Sequence, residues 1–373
     1  MVSARLRKTD LVVDLKALGA NVQRQREQLA PGSRILAVVK ANAYGNGMVP
    51  VASALARAGV EGFCVALLDE AIELRDSGIQ ELVLVLGITP VEYAPLAAAQ
   101  GISLTVGSLE WLKNYQRLAK EEGIKQPLKV HLALDTGMGR IGFTTPEDFK
   151  EALQLVAAPC FEFEGIFTHF ATADEEDATY FERQRARFDD FMAVVTKRPP
   201  FVHVANSATG LWHQKSIVAN TIRMGISMYG ANPSGVGIKE SFPLEPVTSL
   251  VTHATYVKQL KAGESVSYGA TYTAKEDEWV ATLPVGYADG YPRRMQGFYV
   301  LVDGQRCEVL GRVCMDQMMV RLPKEYPVGT EAVLMGRSLD QEITVTDVAK
   351  YAHTINYEIL TGMGARLHRR YLG

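Results

Sequence analysis

Residues 35–47 read Ile35-Leu36-Ala37-Val38-Val39-Lys40-Ala41-Asn42-Ala43-Tyr44-Gly45-Asn46-Gly47. Five apolar or small residues in a row suit a fully buried strand, and the glycine- and asparagine-rich exit suits a turn. Lys40 stands alone at the junction. An amine held there has its stem in apolar surroundings. Partial desolvation lowers its pKa and frees it as a nucleophile or base, able to condense with carbonyl compounds. Taken alone, Lys40 is better read as a side chain that snorkels to water. The ends of the later strands overturn that reading.

Similar runs recur at 62–66, 82–86, 102–105, 128–134, 163–168, 201–204 and 219–223. Amphipathic segments at 51–58, 69–76, 109–122, 146–156 and 177–196 lie between them. In the last of these, Phe181, Phe188 and Phe191 make an apolar stripe at helical spacing, read as core. Eight strand–helix repeats in about 220 residues match a closed parallel (β/α)8 TIM barrel in count and length. An open doubly wound sheet is the alternative, but no Gly-x-Gly-x-x-Gly follows the first run.

After Tyr229 the character changes. Pro233, Ser234, Gly235, Gly237 and Pro243 mark a linker. Runs at 249–257, 279–285, 299–302, 308–310, 318–322 and 332–335 then predict a second, mainly antiparallel β domain, followed by a helical stretch at 346–351. The expected division is 11–243 for the barrel and 244–373 for the β domain, with residues 1–10 packing against the latter.

An apolar fraction of 47% and a charged fraction of 22% are those of an ordinary soluble globular protein. The net charge of −3 gives no electrostatic reason to expect a nucleic acid or an anionic membrane as partner. No apolar run approaches the ~18–20 residues that span a bilayer. The start of the chain is short and charged, unlike a signal peptide, so a cytoplasmic location is expected. Cys64, Cys160, Cys307 and Cys314 form no CxxC pair, so no metal site is expected and reduced thiols are the default.

A barrel enzyme keeps its chemistry on the loops after its strands. Here Lys40 ends the first strand, Asp135-Thr136-Gly137-Met138-Gly139-Arg140 follows the fifth, and His169 follows the sixth. Asn206-Ser207 follow the seventh, and Arg223-Met224-Gly225-Ile226 the eighth. One such residue would mean nothing; five in the same register argue for a site. Ser207, Gly225 and Ile226 stand where barrels often hold a phosphate with hydroxyl and backbone N–H groups. Arg223 cannot realistically give up its proton, so opposite a pyridine nitrogen it would donate a hydrogen bond and leave the ring unprotonated. That choice gives modest carbanion stabilisation, suited to removing and returning one proton. A structural role for His169 stays open beside ring contact. The second domain adds Tyr268, Tyr287 and Cys314-Met315 in glycine-bounded loops, each of which alone reads as turn chemistry.

Taken together, Lys-Ala-Asn-Ala-Tyr-Gly at 40–45, Asp-Thr-Gly-Met-Gly-Arg at 135–140 and Arg-Met-Gly-Ile at 223–226 resemble the bacterial alanine racemases. Gly-Tyr-Ala-Asp-Gly at 286–290 and Arg-Val-Cys-Met-Asp-Gln at 312–317 extend the resemblance to about residues 11–371. It implies a pyridoxal 5'-phosphate enzyme with a barrel and a β domain, working as a homodimer with sites shared between subunits. It implies interconversion of L- and D-alanine through an aldimine, supplying D-alanine for peptidoglycan. Carried over by position, Lys40 is the Schiff-base lysine and the base on one face of the substrate. Tyr268 of the partner subunit is the acid/base on the other. Arg223 bonds the pyridine nitrogen with His203 behind it, and His169 sits near the ring. Tyr44, Ser207, Gly225, Ile226 and Tyr357 hold the phosphate, with Asn206 beside Ser207 among the cofactor contacts. Arg140 orients Tyr268 and, with the Met315 N–H, holds the substrate carboxylate; Tyr287 narrows the access.

Inverting a stereocentre needs a proton removed from one face and delivered to the other, which two different bases on opposite sides do directly. A free tyrosine has a pKa of about 10, so Tyr268 needs a cationic neighbourhood, to which Arg140 contributes. Two departures from the family pattern stand out. Ala133 occupies a position where many members carry a carbamylated lysine that positions the arginine. A buried, unpaired guanidinium is costly, so Arg140 is expected to be balanced by a bound anion such as chloride, or by an Asn or Asp side chain. Asn46 stands where members usually have His. A barrel-type amino-acid decarboxylase and a non-enzymatic pyridoxal phosphate-binding homeostasis protein share the layout. The glycine-triplet phosphate loop of the former is missing here, and the latter has no second domain. Serine is a plausible slower substrate, since a methylene is worth only about 1–3 kcal/mol in a pocket.

Overall fold

The computed structural model describes residues 3–213 and 219–373; Met1 and Val2 of the amino-terminal segment lie outside the described residues. Eight short apolar runs close, in sequence order, into a parallel barrel: Arg34–Val38, Gly62–Val65, Leu82–Ile88, Ser103–Val106, Leu128–Ala133, Phe161–Phe167, Phe201–Ala205 and Thr221–Met224. The last pairs back onto the first, Ile222 beside Ile35 and Arg223 beside Leu36, which completes the ring. Each run anticipated from the sequence supplies one of these strands.

The outer helices start where the sequence offers a cap. The carboxylate of Asp14 accepts from the N–H groups of Lys16 and Ala17 to open helix Leu15–Gln28. Ser108 and Thr145 do the same for Leu109–Glu121 and Pro146–Leu155. Such caps satisfy N–H groups that have no partner inside the helix. Phe181, Phe188 and Phe191 on helix Thr179–Met192 are all buried, a core stripe as read.

The second sheet runs in the order Tyr256–Leu260, Glu278–Leu283, Met318–Leu322, Gln305–Leu310, Tyr299–Val302, Glu331–Ser338, Thr248–His253, Asp10–Asp14, His368–Leu372. All neighbours are antiparallel except the last pair, which is parallel. Two details differ from expectation. Residues 11–14, placed on the barrel side of the expected boundary, belong with Asp10 to the strand Asp10–Asp14 of this sheet, with Leu11, Val12 and Val13 buried between the two flanking strands. The run expected at 249–257 is two strands, Thr248–His253 and Tyr256–Leu260, in separate parts of the sheet. Among the described residues no helix is long and apolar enough to cross a membrane.

Candidate active site

A cavity of about 520 Å³ opens at the C-terminal ends of the barrel strands. Lys40, Tyr44, Arg140, His169, Asn206, Ser207, Arg223, Gly225, Ile226 and Tyr357 all line it. Strands set side by side bring their exits to one rim, which gathers the residues from Lys40 to Ile226, while Tyr357 comes from helix Asn356–Gly362 of the second domain.

Lys40 enters a backbone shape that the sequence conceals. Ala41, Asn42, Ala43 and Tyr44 all have φ between 52 and 55°, a left-handed turn without a glycine. Each such residue costs about 1–2 kcal/mol relative to the right-handed form. The turn persists because it is held from several sides. Glu70 accepts from the Ala41 N–H at 2.6 Å, and Asn42 Oδ1 accepts from the Met48 N–H at 2.8 Å. Asn46 donates to Ala43 O at 2.9 Å and accepts from Thr248 at 2.6 Å. Arg369 donates to Gly45 O at 2.6 Å, and the Tyr371 hydroxyl to Asn46 O at 3.1 Å. Four of these holders (Glu70, Thr248, Arg369 and Tyr371) were missed in the sequence. Only Glu70, at the exit of the second strand, left a signal there. Burial, and then the nearby charges of Arg140 and Arg223, push the Lys40 pKa below its ordinary value. The neutral amine is thereby made accessible, as the strand-end reading required.

Arg223 is buried, and burial pulls its pKa down to about 10. Its Nη1 donates to His203 Nδ1 at 2.8 Å and to His203 O at 2.6 Å; its Nη2 donates to Thr168 O at 2.8 Å and to His169 Nδ1 at 3.2 Å. A guanidinium has five N–H donors. Four are matched by protein acceptors, and among the described residues none takes the Nε–H, which is left for whatever the cavity holds. Both histidines accept through Nδ1 and so are neutral there. Burial, followed by the positive charge of Arg223, takes the pKa of His169 down to about 3 and that of His203 well below its ordinary value.

Around Gly225 the polar groups are of another kind. Ser207 Oγ accepts from the Gly225 N–H at 2.9 Å. The Tyr44 hydroxyl lies 2.8 Å from where a Cβ on Gly225 would stand, so only glycine leaves it in place. Tyr44 packs against Tyr229 and Tyr357 at 4.9 and 6.0 Å between ring centres. Burial raises the pKa of both Tyr44 and Tyr357, so these phenols stay protonated as donors. The hydroxyl-bearing side chains of Ser207, Tyr44 and Tyr357 line the cavity beside this turn and could hold an anion by neutral donors. The Asn206 side chain is engaged elsewhere, bonding Thr209 and Phe170 O, and so braces the turn that carries Ser207.

Tyr268, Tyr287 and Met315 do not line this cavity. They are exposed by 68, 40 and 52%, on the second domain. Tyr287 N–H and Ala288 N–H donate to Cys314 O and Met315 O, joining two of those loops. Ser267, at φ 68°, bonds Arg312 O and sets the turn that projects Tyr268. Arg140 is also exposed in the chain, so the burial that motivated a counter-anion is not present within one subunit. Ala133, buried at the end of its strand, lines the cavity wall.

Sequence profiles of the alanine racemase N-terminal and C-terminal domains match residues 13–233 and 247–371. The chain belongs to the alanine racemase family. The alanine racemase of Limosilactobacillus reuteri is 63% identical over 371 residues, covering 100% of this chain and 99% of that protein. The crystal structure of the alanine racemase from E. faecalis superposes with a TM-score of 0.97 at 47% identity, covering 100% of both chains. A histidine racemase from Leuconostoc mesenteroides superposes with a TM-score of 0.94 at 34% identity, again covering 100% of both. Alanine racemases are pyridoxal phosphate-dependent isomerases. The residues of this racemase-family cavity fit that cofactor. A suppressed lysine suits its aldehyde, a single free N–H on Arg223 its ring nitrogen, and the neutral cradle its phosphate.

Proposed function

We propose that the chain interconverts L- and D-alanine at sites shared between two copies, using Lys40 of one subunit and Tyr268 of the other. The carrying observation is the split of chemistry. The cavity holds a lysine of lowered pKa, and the phenol that its own β domain sends there, Tyr357, packs against Tyr44, while that domain displays Tyr268 on an exposed turn outside the cavity. Bound pyridoxal phosphate supplies an electron sink that acidifies the substrate α-hydrogen. Lys40 Nζ takes or returns the proton on its side, and Tyr268 of the partner subunit does so on the opposite side. Each acts as acid for one enantiomer and as base for the other. Arg223, permanently protonated, donates Nε–H to the ring nitrogen and keeps it from taking a proton. Ser207, Tyr44, Tyr357 and the Gly225–Ile226 backbone bind the phosphate, with His169 beside the ring. Arg140, with the Met315 N–H of the partner subunit, binds the substrate carboxylate, and Tyr287 of the partner subunit narrows the access. Once the second subunit covers Arg140, its charge is balanced by a bound anion such as chloride or by an Asn or Asp side chain, in place of the lysine that Ala133 replaces. D-Alanine made this way serves peptidoglycan synthesis in a bacterial cytoplasm.

Complementation tests the shared site. Lys40→Ala and Tyr268→Phe chains should each be inactive alone with L-alanine. Mixing and re-forming dimers should restore D-alanine production, because a hybrid has one site with both groups intact. No recovery in verified hybrids refutes the inter-subunit reading. A small, equal slowing of both directions by Tyr268→Phe refutes the two-base assignment. Serine and histidine, run beside alanine, measure substrate breadth.

A further inference from the structure

The buried chain behind Arg223 continues past His203. His203 Nε2 lies 2.8 Å from His131 Nδ1, and His131 Nε2 lies 3.0 Å from Glu164 Oε2. Ser103 Oγ bonds that same oxygen, and Lys129 Nζ stands 3.6 Å from the other. Both imidazoles are fully buried and Glu164 nearly so. Phe167 stacks on His203 with ring centres 5.0 Å apart, and Phe201 lies 5.9 Å from His131. A Cβ at position 165 would stand 2.2 Å from His131 Nδ1, so Gly165 makes room for the ring.

One placement of protons satisfies every link. A guanidinium only donates, so His203 Nδ1 must accept from Arg223. His203 therefore carries its proton on Nε2 and donates to His131 Nδ1. His131 is in turn protonated on Nε2 and donates to Glu164. A second proton on His131 would have to point at His203 Nε2–H, and a reversed chain would set His203 Nδ1–H against Arg223. The two ends agree on the direction: the guanidinium only donates, and the carboxylate, ionised, only accepts and so keeps the His131 Nε2–H paired. Burial works against its charge, but His131, Ser103 and Lys129 outweigh that and hold it below its ordinary pKa.

We propose that Glu164 is a positioning residue for the cofactor ring: through His131 and His203 it fixes the tautomer that commits Arg223 Nη1 inward and reserves Nε–H for the pyridine nitrogen. Only the last link rests on the pyridoxal phosphate reading; the tautomers belong to the side chains themselves. Glu164→Gln keeps an acceptor at this place and Glu164→Met removes it. Gly165→Ala, which leaves Glu164 intact but displaces the His131 ring, serves as a second variant should Glu164→Met fail to fold. Long-range 15N–1H spectra of the histidine side chains in the purified holoenzyme read the tautomers directly. Wild type and Glu164→Gln should show accepting Nδ1 and protonated Nε2 on both His131 and His203. Glu164→Met, or Gly165→Ala, should mix or invert them. Losing one charge-assisted bond should weaken pyridoxal phosphate binding to the stripped protein by about 10–100-fold in Glu164→Met and leave Glu164→Gln near wild type. Unchanged tautomers in Glu164→Met overturn the proposal, as do inverted tautomers with unchanged cofactor affinity. Wild-type protein that binds no pyridoxal phosphate refutes the cofactor reading instead, while the spectra still report on the lock.

Discussion

Arg369→Met tests whether the left-handed turn after Lys40 is held from the second domain. Four non-glycine residues in that conformation cost about 4–8 kcal/mol together. Opposing this are the six hydrogen bonds of Glu70, Asn42, Asn46, Thr248, Arg369 and Tyr371. At about 1 kcal/mol for a neutral bond and 1.5–3 for one to a charged group, they contribute about 8 kcal/mol in all. The turn is thus close to balance, and the bond of Arg369 Nε to Gly45 O, at 2.6 Å, is among the strongest of the six. Removing it should shift the local opening equilibrium by about 1.5–3 kcal/mol, or 10–100-fold. The assay is native-state amide exchange at Asn46 and Gly47, whose N–H groups bond Ala43 O and Asn42 O within the turn. Both should exchange faster by that factor, while Val39 N–H, bonded to Cys64 O across the barrel, changes little. Arg369 also bonds Met363, Gly364 and Leu367 carbonyls. A lower melting temperature with unchanged exchange at 46 and 47 would mean that it only staples its own strand, and the reasoning would fail.

Two further outcomes follow from the site. In Gly225→Ala the new methyl would stand 2.8 Å from the Tyr44 hydroxyl and should weaken cofactor binding to the stripped protein by about tenfold, the loss of one anion contact, measured by titrating the cofactor back. Lys40 in cofactor-free protein has a folded pKa below its ordinary 10.5, so between the two values the unfolded chain binds more protons and stability rises with pH; Lys40→Met should therefore be the more stable at neutral pH, with the advantage shrinking as pH nears 10.5 in urea titrations.

The barrel was legible because each of its strands is a compact apolar run, and a polar residue at each functional exit breaks the run where the cavity begins. The strand Asp10–Asp14 was harder, since only Leu11, Val12 and Val13 carry its signal and its partners lie more than 230 residues on, at Thr248–His253 and His368–Leu372. The run at 249–257 hid two strands because Ala254 and Thr255, where the chain leaves one ladder for another, carry neither glycine nor proline. The left-handed turn could not be read from Ala41, Ala43 and Tyr44, which do not favour that conformation, and Asn42 alone signals only a local turn; tertiary contacts impose the rest. His131 and Glu164 passed unnoticed for a related reason. They sit inside apolar strands and acquire a meaning only when register sets those strands side by side, His131 next to Gly165.

The clamp on Lys40 also fixes an order of events in making the protein. The guanidinium that grips Gly45 is added to the growing polypeptide 324 positions after it. A chain that has not yet reached the His368–Leu372 strand has Glu70, Asn42, Asn46 and Thr248 to hold the turn but lacks the bonds of Arg369 and Tyr371. Of the contacts that hold the turn, those of Arg369 and Tyr371 are thus the last for which synthesis supplies the side chains, when the His368–Leu372 strand is made.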